Sequence, residues 1–233
     1  MFQPEMSIGL EPEAEMLYDL SRFGNNGTNT DVTWSQLVGG PWVMSFNATS
    51  SLVTVPDAAS VQNIFNGGGT LFAWINAGSD GESDLGMMAS KSDVAGKGFF
   101  WGVRSEAAGK VCLWLWYYFS GDDGNWITTS TEITLGYWTL VALTYNSDAA
   151  GNNPIFYVDN SVFTVGDGIT ETTSPTGVRG SDVGEDLIIG NIANASRTFD
   201  GKIAFTKILR YIASEGQIAE YYEKTKHLFG IYD

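Results

Sequence analysis

The chain has 233 residues, of which 43% are hydrophobic and 13% aromatic, so it can bury a sizeable core. Its 27 acidic residues outnumber its 12 lysines and arginines, which gives a formal net charge of −15. Because this charge repels phosphate groups and no basic stripe interrupts it, neither nucleic acid nor an anionic membrane is an expected partner.

Single residues and missing motifs disfavour further classes of protein. Cys112 is the only cysteine, so no intrachain disulfide can form. His227 is the only histidine, which argues against Ser-His and Cys-His catalysis and against histidine-rich metal sites. The acidic N-terminus lacks the basic and apolar regions of a signal peptide, and no apolar run is long enough to span a membrane. We therefore expect neither segment.

Residues 1–15 contain two prolines and four glutamates and show little periodicity, which predicts an extended N-terminal arm. Such an arm is either a disordered tail or a segment that orders against a neighbouring subunit. Residues 16–233 show no internal repeat and are predicted to form one domain, which includes a C-terminal helix at residues 214–226.

A turn rich in asparagine and glycine follows the arm. It brings the carboxylate of Asp19 close to the oxygen atoms around Asn25 and Asn26, and hard oxygen atoms of this kind are the ligands of calcium. The same residues also favour a turn that is held by side-chain hydrogen bonds without a metal. Both interpretations stay open.

Short segments rich in β-branched and aromatic residues, separated by turn residues, occupy most of the chain. About twelve such segments with almost no helix predict an all-β, antiparallel, two-sheet sandwich. The predicted strands before the central hairpin cover residues 41–46, 52–55, 70–76, 85–90, 98–104, 110–119 and 128–134, and two later ones cover residues 186–190 and 201–208.

The hairpin at residues 135–165 carries apolar side chains on both faces of its strands. Such strands need a sheet on one side and a second cover on the other. Near the C-terminus, Ser214 and Gln217 have the spacing of a capping box, and an apolar stripe at helical spacing follows them. This pattern predicts the single helix.

Aromatic residues are concentrated in two neighbouring predicted strands. In the second, Trp114, Trp116 and Tyr118 share one face, and only one face of a strand can line the core of a sandwich. The surplus aromatic surface is covered by loops or the arm, forms a subunit interface, or stacks against sugars. We therefore predict a carbohydrate-binding or interface set of Trp101, Trp114, Trp116 and Tyr118.

Glycoside hydrolysis would need two facing carboxylates. The alternating glutamates of the arm do not provide them, because a catalytic strand would be apolar on its other face. We therefore expect that the protein is not an enzyme. The carboxylates that a test of hydrolysis would examine first are Glu106, Glu132 and Asp159.

Short sequence motifs along the chain occur in an order that is specific for one type of fold. They lie at residues 18–27, 44–47, 52–56, 70–75, 138–145, 156–160, 187–190, 199–203 and 212–221. Together they resemble the concanavalin A-like, laminin-G-type jelly roll, in the form that recurs in bacterial surface proteins and phage virion proteins. This resemblance implies an antiparallel two-sheet jelly-roll sandwich with a short C-terminal helix, but it does not specify an activity.

Members of this family often bind a structural calcium ion near the opening turn and the closing strand. The ligands that the resemblance implies here are Asp19, the oxygens around Asn25 and Asn26, and Asp200. The sequence departs from the family pattern where Ala204 stands, because an acidic residue usually follows the closing-strand motif.

The resemblance also implies a non-catalytic assembly or binding module. Our leading hypothesis is a phage virion structural protein, either a capsid decoration or a tail-associated protein, because the arm and the lack of a secretory signal fit that role. Its expected location is the virion, and its expected partners are further copies of the chain or another virion protein. The alternative is a calcium-assisted carbohydrate-binding module that holds a glycan on the Trp-rich face.

Overall fold

The computed structural model describes residues 16–232, and the predicted arm at residues 1–15 lies outside these described residues. The helices of the described part are α1 (Glu215–Thr225) and two short 3-10 helices, Glu82–Asp84 and Lys226–Phe229. Its strands are β1 (Met16–Leu17), β2 (Gly27–Thr30), β3 (Thr33–Gln36), β4 (Trp42–Asn47), β5 (Leu52–Val55), β6 (Gly69–Ala77), β7 (Leu85–Lys91), β8 (Phe99–Ala107), β9 (Lys110–Tyr117), β10 (Gly124–Thr128), β11 (Ile133–Thr134), β12 (Thr139–Tyr145), β13 (Ile155–Val158), β14 (Ser161–Val165), β15 (Gly168–Thr173), β16 (Leu187–Ile189) and β17 (Asp200–Leu209).

The strands form two sheets. Sheet I has the order β1-β2-β5-β16-β7-β8-β9-β10-β15, with β11 also paired to β9. Sheet II has the order β3-β4-β17-β6-β12-β13-β14. All these strand pairs are antiparallel, and a short parallel pairing of β14 with β15 links the two sheets at one edge. The predicted antiparallel two-sheet sandwich is confirmed.

The main core lies between the inner faces of the two sheets. Sheet I contributes Trp101, Leu115 and Trp126, and sheet II contributes Val141 and Phe156, all of them fully buried. This arrangement follows from strand geometry, because alternate residues of each strand point to the same face.

The outer face of sheet II is apolar as well, and the C-terminal segment covers it. All seven residues of β12 are buried: Val141 and Leu143 face the main core, whereas Leu140 and Ala142 lie on the opposite face. There α1 packs through Ile218, and the residues after α1 pack through Phe229. The predicted second cover of the hairpin is therefore the C-terminal helix with the 3-10 turn that follows it.

The predicted capping box at the start of α1 is confirmed. The Ser214 hydroxyl accepts a hydrogen bond from the backbone N–H of Gln217, and the Gln217 side chain accepts one from the backbone N–H of Ser214. Within residues 16–232, no helix has the length and apolar character that crossing a membrane requires.

The described residues contain more strands than the sequence pattern indicates. The pattern does not indicate β2, β3 or β15, and it places a strand at residues 128–134, whereas β10 covers Gly124–Thr128 and β11 covers only Ile133–Thr134. The strands that the pattern misses are rich in threonine and other polar residues and lie at or near sheet edges. Such strands have little apolar alternation, so hydrogen bonding to a neighbouring strand has to define them.

A buried cluster of charges joins β7 to the loop before β16. The ammonium group of Lys91, at 0% exposure, lies 2.6 Å from Asp57 Oδ1 and 3.9 Å from Asp182 Oδ1. It also donates a hydrogen bond to the carbonyl of Glu185. Asp182 accepts a hydrogen bond from the backbone N–H of Asn63, and burial raises the pKa of its carboxyl group. The cluster therefore connects the loop after β5 and the loop before β16 to the end of β7, an interior strand of sheet I.

Candidate binding groove

The aromatic residues of β9 divide between the core and the surface as their alternation predicts. Val111, Leu113, Leu115 and Tyr117 are fully buried in the main core. Trp114, together with Trp116 and Tyr118, belongs to a separate cluster on the outer face of sheet I. The prediction that these three aromatic side chains share one face is confirmed, and that face is the outer one.

The inclusion of Trp101 in the predicted surface set is wrong. Trp101 is fully buried in the main core, and it pairs with Leu115 of β9, which faces the core as well. Residues that pair across antiparallel strands point to the same face, so Trp101 cannot reach the outer surface. Its neighbour Phe100 pairs with Trp116 and is the β8 aromatic that lies on the outer face.

The outer aromatic side chains form a continuous row. The ring centres of Trp114 and Trp116 are 6.2 Å apart, and those of Trp116 and Tyr118 are 6.3 Å apart. Phe100 closes the row with an edge contact to Tyr118, at 5.8 Å between ring centres. The indole N–H of Trp114 donates a hydrogen bond to Asn125 Oδ1 on β10 at 2.7 Å, which fixes the orientation of that ring.

A loop at residues 192–197 forms a wall beside this row. Its base is held by Asn191, which is fully buried. Asn191 Oδ1 accepts hydrogen bonds from the backbone N–H groups of Ile192 and Arg197, and Asn191 Nδ2 donates to the hydroxyl of Thr198 at 2.7 Å. A buried side chain with several hydrogen bonds holds a loop in one conformation, so the wall is preorganised.

The row and the wall enclose a groove of about 460 Å³. We call it the aromatic groove, and its lining residues are Leu85, Met87, Val94, Phe100, Arg104, Trp114, Trp116, Tyr118, Ile192, Asn194, Ser196 and Arg197. Trp116 and Tyr118 are half-buried, so each offers part of its ring to a ligand. The lining combines aromatic faces with a few polar groups, which is the usual composition of a binding site.

The polar edge of the groove contains hydrogen-bond donors. Burial, together with the nearby carboxylates of Asp123 and Asp93, raises the pKa of Tyr118, so its hydroxyl stays protonated at neutral pH. The guanidinium carbon of Arg104 lies 5.6 Å from the ring centre of Trp114. No carboxylate of the described residues lines the groove, so the lining side chains can stack and donate hydrogen bonds but offer no acid–base pair.

The carboxylates that a test of hydrolysis would examine first lie outside the aromatic groove. Glu132 and Asp159 line a hollow near the C-terminal segment, and Glu106 lines a third hollow. Asp159 Oδ1 accepts a hydrogen bond from the backbone N–H of Leu140 at 2.9 Å. Burial raises the pKa of Asp159, and this hydrogen bond offsets part of that rise. Asp159 thus holds the start of β12.

The predicted calcium turn is held by hydrogen bonds within the protein. Asp19 Oδ1 accepts from the backbone N–H of Ser21, and Asp19 Oδ2 accepts from the Ser21 hydroxyl and the backbone N–H of Asn25, all at 2.8 Å. Asn26 Oδ1 accepts from the backbone N–H of Asp19 at 3.0 Å, and Asn25 Oδ1 accepts from the Ser60 hydroxyl at 2.8 Å. Donors of this kind point positive hydrogen atoms at the oxygens, so these residues do not fit a calcium ligand set.

Asp200, the fourth predicted ligand, does not join the turn, and that part of the prediction is wrong. Asp200 begins β17, whereas Ile208 and Leu209, at the other end of β17, line the cleft that contains Asp19. The intervening strand separates the two carboxylates by a distance on the order of 20 Å. Among residues 16–232, no three histidine, cysteine or acidic side chains are grouped to hold a metal ion. Calcium binding stays a prediction.

Of the twelve residues that line the groove, sequence reasoning identified three, Trp114, Trp116 and Tyr118. The loop residues Ile192, Asn194, Ser196 and Arg197 follow β9 by more than seventy positions, and they show no pattern that assigns them to it. The local signal in β9 identified the aromatic row. Only the pairing of β16 with β7 brings the loop over that row.

A model of the concanavalin A-like lectin/glucanases superfamily matches residues 47–219, which is more than half of the chain. Among curated proteins, none is significantly similar in sequence. Many solved structures, by contrast, are similar to this chain in fold, although their sequence identity to it is low.

Three solved structures illustrate this similarity in fold. The binding domain of Paraclostridial Mosquitocidal Protein 1 has 15% identity and a TM-score of 0.62, over 91% of this chain and 50% of that chain. The binding domain of botulinum neurotoxin DC, in complex with rat synaptotagmin II, has 15% identity and a TM-score of 0.61, over 89% and 49%. Domain 4 of AbnA, an extracellular arabinanase from Geobacillus stearothermophilus in complex with arabinotriose, has 14% identity and a TM-score of 0.52, over 94% and 86%.

This chain spans about half the length of the mosquitocidal and neurotoxin chains. At these identities the similarity shows the fold alone, which is a concanavalin A-like jelly roll.

Proposed function

Since this chain belongs to the concanavalin A-like lectin/glucanases superfamily, we propose that it is a non-catalytic module that binds a glycan in the aromatic groove. The observation that carries this proposal is the row of Trp114, Trp116 and Tyr118 beneath a wall that is already fixed. A rigid groove loses little conformational entropy when it binds a ligand.

The chemistry of the row suits a sugar. A pyranose ring has apolar C–H faces and a rim of hydroxyl groups, whereas tryptophan and tyrosine combine a flat apolar face with a polar edge. The half-buried rings of Trp116 and Tyr118 can stack on the C–H faces. The donors of Arg104, Asn194 and Ser196 at the edge of the groove can bond to the hydroxyl groups.

Hydrolysis is not part of the proposal. A glycosidase places two carboxylates on either side of the scissile bond, about 5 to 9.5 Å apart. In the part of the chain that the structure describes, no aspartate or glutamate lines the aromatic groove. The arabinanase domain solved with arabinotriose supports an oligosaccharide as the class of ligand.

The virion role stays a prediction. It depends on assembly through residues 1–15, which lie outside the described residues. The expected homo-oligomer, the virion protein partner and the location in the virion stay predictions for the same reason. No feature of residues 16–232 favours them over a glycan module.

The proposal is tested by applying the purified chain to a glycan array. Each glycan that binds is then titrated into the protein, and the change in tryptophan fluorescence gives its affinity. We expect Trp116→Ala to weaken binding about tenfold or more, because the variant loses the aromatic face on which the sugar stacks; loss of one stacking ring costs about 1–3 kcal/mol when the ligand is a nucleic-acid base. Tyr137→Ala is the matched control, since Tyr137 is 69% exposed and lies outside the aromatic groove. An array without any bound glycan would refute the proposal, as would equal losses in the two variants.

A further inference from the structure

We infer that the glycan held by the aromatic groove is anionic and carries a carboxylate or sulfate group that Arg104 binds. This inference rests on the proposed function and specifies its class of ligand. It starts from the charge of the groove.

The aromatic groove is positive in a strongly negative protein. Among residues 16–232, its only charged lining residues are Arg104, on β8, and Arg197, on the loop wall, whereas the whole chain has a formal net charge of −15. The two cations come from different elements, so the chain fold places them on one groove. Both side chains can donate hydrogen bonds to neutral hydroxyl groups, but only an anionic ligand would also compensate their charges.

The guanidinium group of Arg104 has no acidic partner among residues 16–232. The side chain forms no ion pair or hydrogen bond with any of these residues, and its Nε atom is buried without a hydrogen-bond partner. The terminal nitrogen atoms are not among the buried unpaired atoms, so they are the accessible part of the side chain. An arginine in this state has donors available for a ligand.

The position of the guanidinium group suits an anion. It lies over the ring of Trp114, with 5.6 Å from the guanidinium carbon to the ring centre. A stacked guanidinium group keeps its in-plane N–H donors free, and their fork geometry matches the two oxygens of a carboxylate or sulfate. A sugar that stacks on Trp116, next along the row, would therefore carry its acidic substituent towards Arg104.

Arg197 contributes a second positive charge from the wall. Its Nη1 atom donates a hydrogen bond to the carbonyl of Ser196 at 2.6 Å, which orients the side chain on the loop. No ion pair involves Arg197 within the described residues, so its charge also stays uncompensated.

Acidic residues near Arg104 do not neutralise it. Asp80, Asp84 and Glu106 line a neighbouring hollow together with Arg104, but none of them lies within ion-pairing distance of its guanidinium group. Asp80 Oδ2 instead accepts a hydrogen bond from the backbone N–H of Glu106. The carboxylates of Asp93 and Asp123 act on Tyr118, which lies at the end of the aromatic row away from Trp114 and Arg104. Repulsion between charges is screened over about 8 Å at physiological salt, so an acidic substituent is favoured at the Arg104 end of the groove.

The test compares each acidic glycan with its neutral counterpart. The array contains neutral glycans together with glycans that carry uronate, sialate or sulfate groups. Each acidic glycan that binds is titrated beside the same glycan with its carboxylates methyl-esterified or its sulfates removed, so the two arms separate carboxylate from sulfate recognition. The variants are Arg104→Gln in the groove and Arg22→Gln outside it, which change the net charge equally.

We expect the acidic glycan to bind about tenfold or more tightly than its neutral counterpart, since a charge-assisted hydrogen bond has that effect on affinity. Arg104→Gln should remove this preference, whereas Arg22→Gln should preserve it. In the unmodified protein, raising the salt concentration should weaken the binding of acidic glycans more than that of neutral ones.

Three results would contradict the inference in distinguishable ways. Binding of neutral glycans alone, or equal affinity for the two members of each pair, would overturn the anionic ligand and leave the glycan-binding proposal intact. A preference that Arg104→Gln does not change would overturn the role of Arg104. Absence of binding to every glycan would overturn the proposed function and the inference together.

Discussion

The indole N–H of Trp74, on β6, donates a hydrogen bond to the hydroxyl of Thr225, in the last turn of α1, at 2.9 Å. Trp74 is fully buried, and the ring of Phe229 stacks on it at 4.4 Å between ring centres. The end of α1 is thus joined to the centre of sheet II by one directional bond in an apolar surrounding. In a low-dielectric site such a bond contributes more than it would in water.

Replacing Thr225 with valine should therefore destabilise the protein. The buried indole N–H would lose its acceptor, at a cost of about 1–3 kcal/mol in the free energy of unfolding. Urea denaturation measures this change. Thr225→Ser keeps the hydroxyl group and serves as the control. Equal stability of the valine and serine variants would show that the hydrogen bond does not hold α1.

The charge cluster around Lys91 predicts a larger effect. In Lys91→Met the carboxylates of Asp57 and Asp182 would lose their buried cation, and breaking a buried ion pair on one side costs about 3–5 kcal/mol. The control is Lys97→Met, because Lys97 is 47% exposed in its ion pair with Glu185 and a surface pair stabilises little. Unfolding in denaturant measures the stability of both variants. Equal stability of the two would contradict the claim that the buried ion pairs of Lys91 stabilise the protein more than the surface pair of Lys97.

The turn at Asp19 predicts a pH dependence. Partial burial alone would raise the pKa of Asp19, but hydrogen bonds from Ser21 and Asn25 outweigh it and hold the pKa below its ordinary value of 3.8. A lowered folded-state pKa adds stability above the unfolded-state pKa, and that stability is lost as the pH falls through the folded-state pKa.

Asp19→Asn should consequently lose stability at pH 7, and the difference from the unmodified protein should disappear as the pH falls below 3.8. Unfolding free energies measured from pH 7 to pH 2 test this. Asp84→Asn removes an exposed carboxylate that forms no hydrogen bond within residues 16–232, so it controls for net charge. A stability difference that did not change with pH would rule out the role assigned to the Asp19 carboxylate.

The hydrogen bonds of the Asp19 turn also predict how the protein responds to calcium. Because hydrogen-bond donors already point at the Asp19 carboxylate, we expect calcium and EDTA to give the same thermal midpoint within about one degree. Differential scanning calorimetry with each addition measures this. A midpoint that rises with calcium in the unmodified protein but not in Asp19→Asn would instead establish the metal site that the family resemblance implies.

Asn191 offers a test of the groove wall. Asn191→Ala would remove the acceptor for the backbone N–H groups of Ile192 and Arg197 without touching the ligand. We expect an affinity loss for the bound glycan of about tenfold together with lower stability, because the wall would no longer be preorganised. Asn76→Ala is the control, since Asn76 bonds to the carbonyl of Gly136 outside the groove. Unchanged glycan affinity in Asn191→Ala would show that the wall does not matter for binding.

Sequence alone supplied the all-β sandwich, the capping box of α1 and the aromatic row of β9, because each follows from local periodicity or spacing. The alternation in β9 showed that Trp114, Trp116 and Tyr118 share one face. The alternation does not show which face of β8 is buried, and for this reason the sequence-based prediction places Trp101 on the surface although it lies in the core. That choice depends on the pairing of β8 with β9 and on the position of sheet II.

The composition of the aromatic groove depends on the tertiary structure. Arg104 and Arg197 are nearly a hundred residues apart in the chain, and they line one groove because β16 pairs with β7 and carries the following loop across the aromatic row. Local sequence determines which side chains share a strand face, since that depends on backbone geometry alone. Long-range strand pairing decides which distant segment covers that face. For this reason the sequence predicts the aromatic row but not the loop wall or the two arginines of the groove.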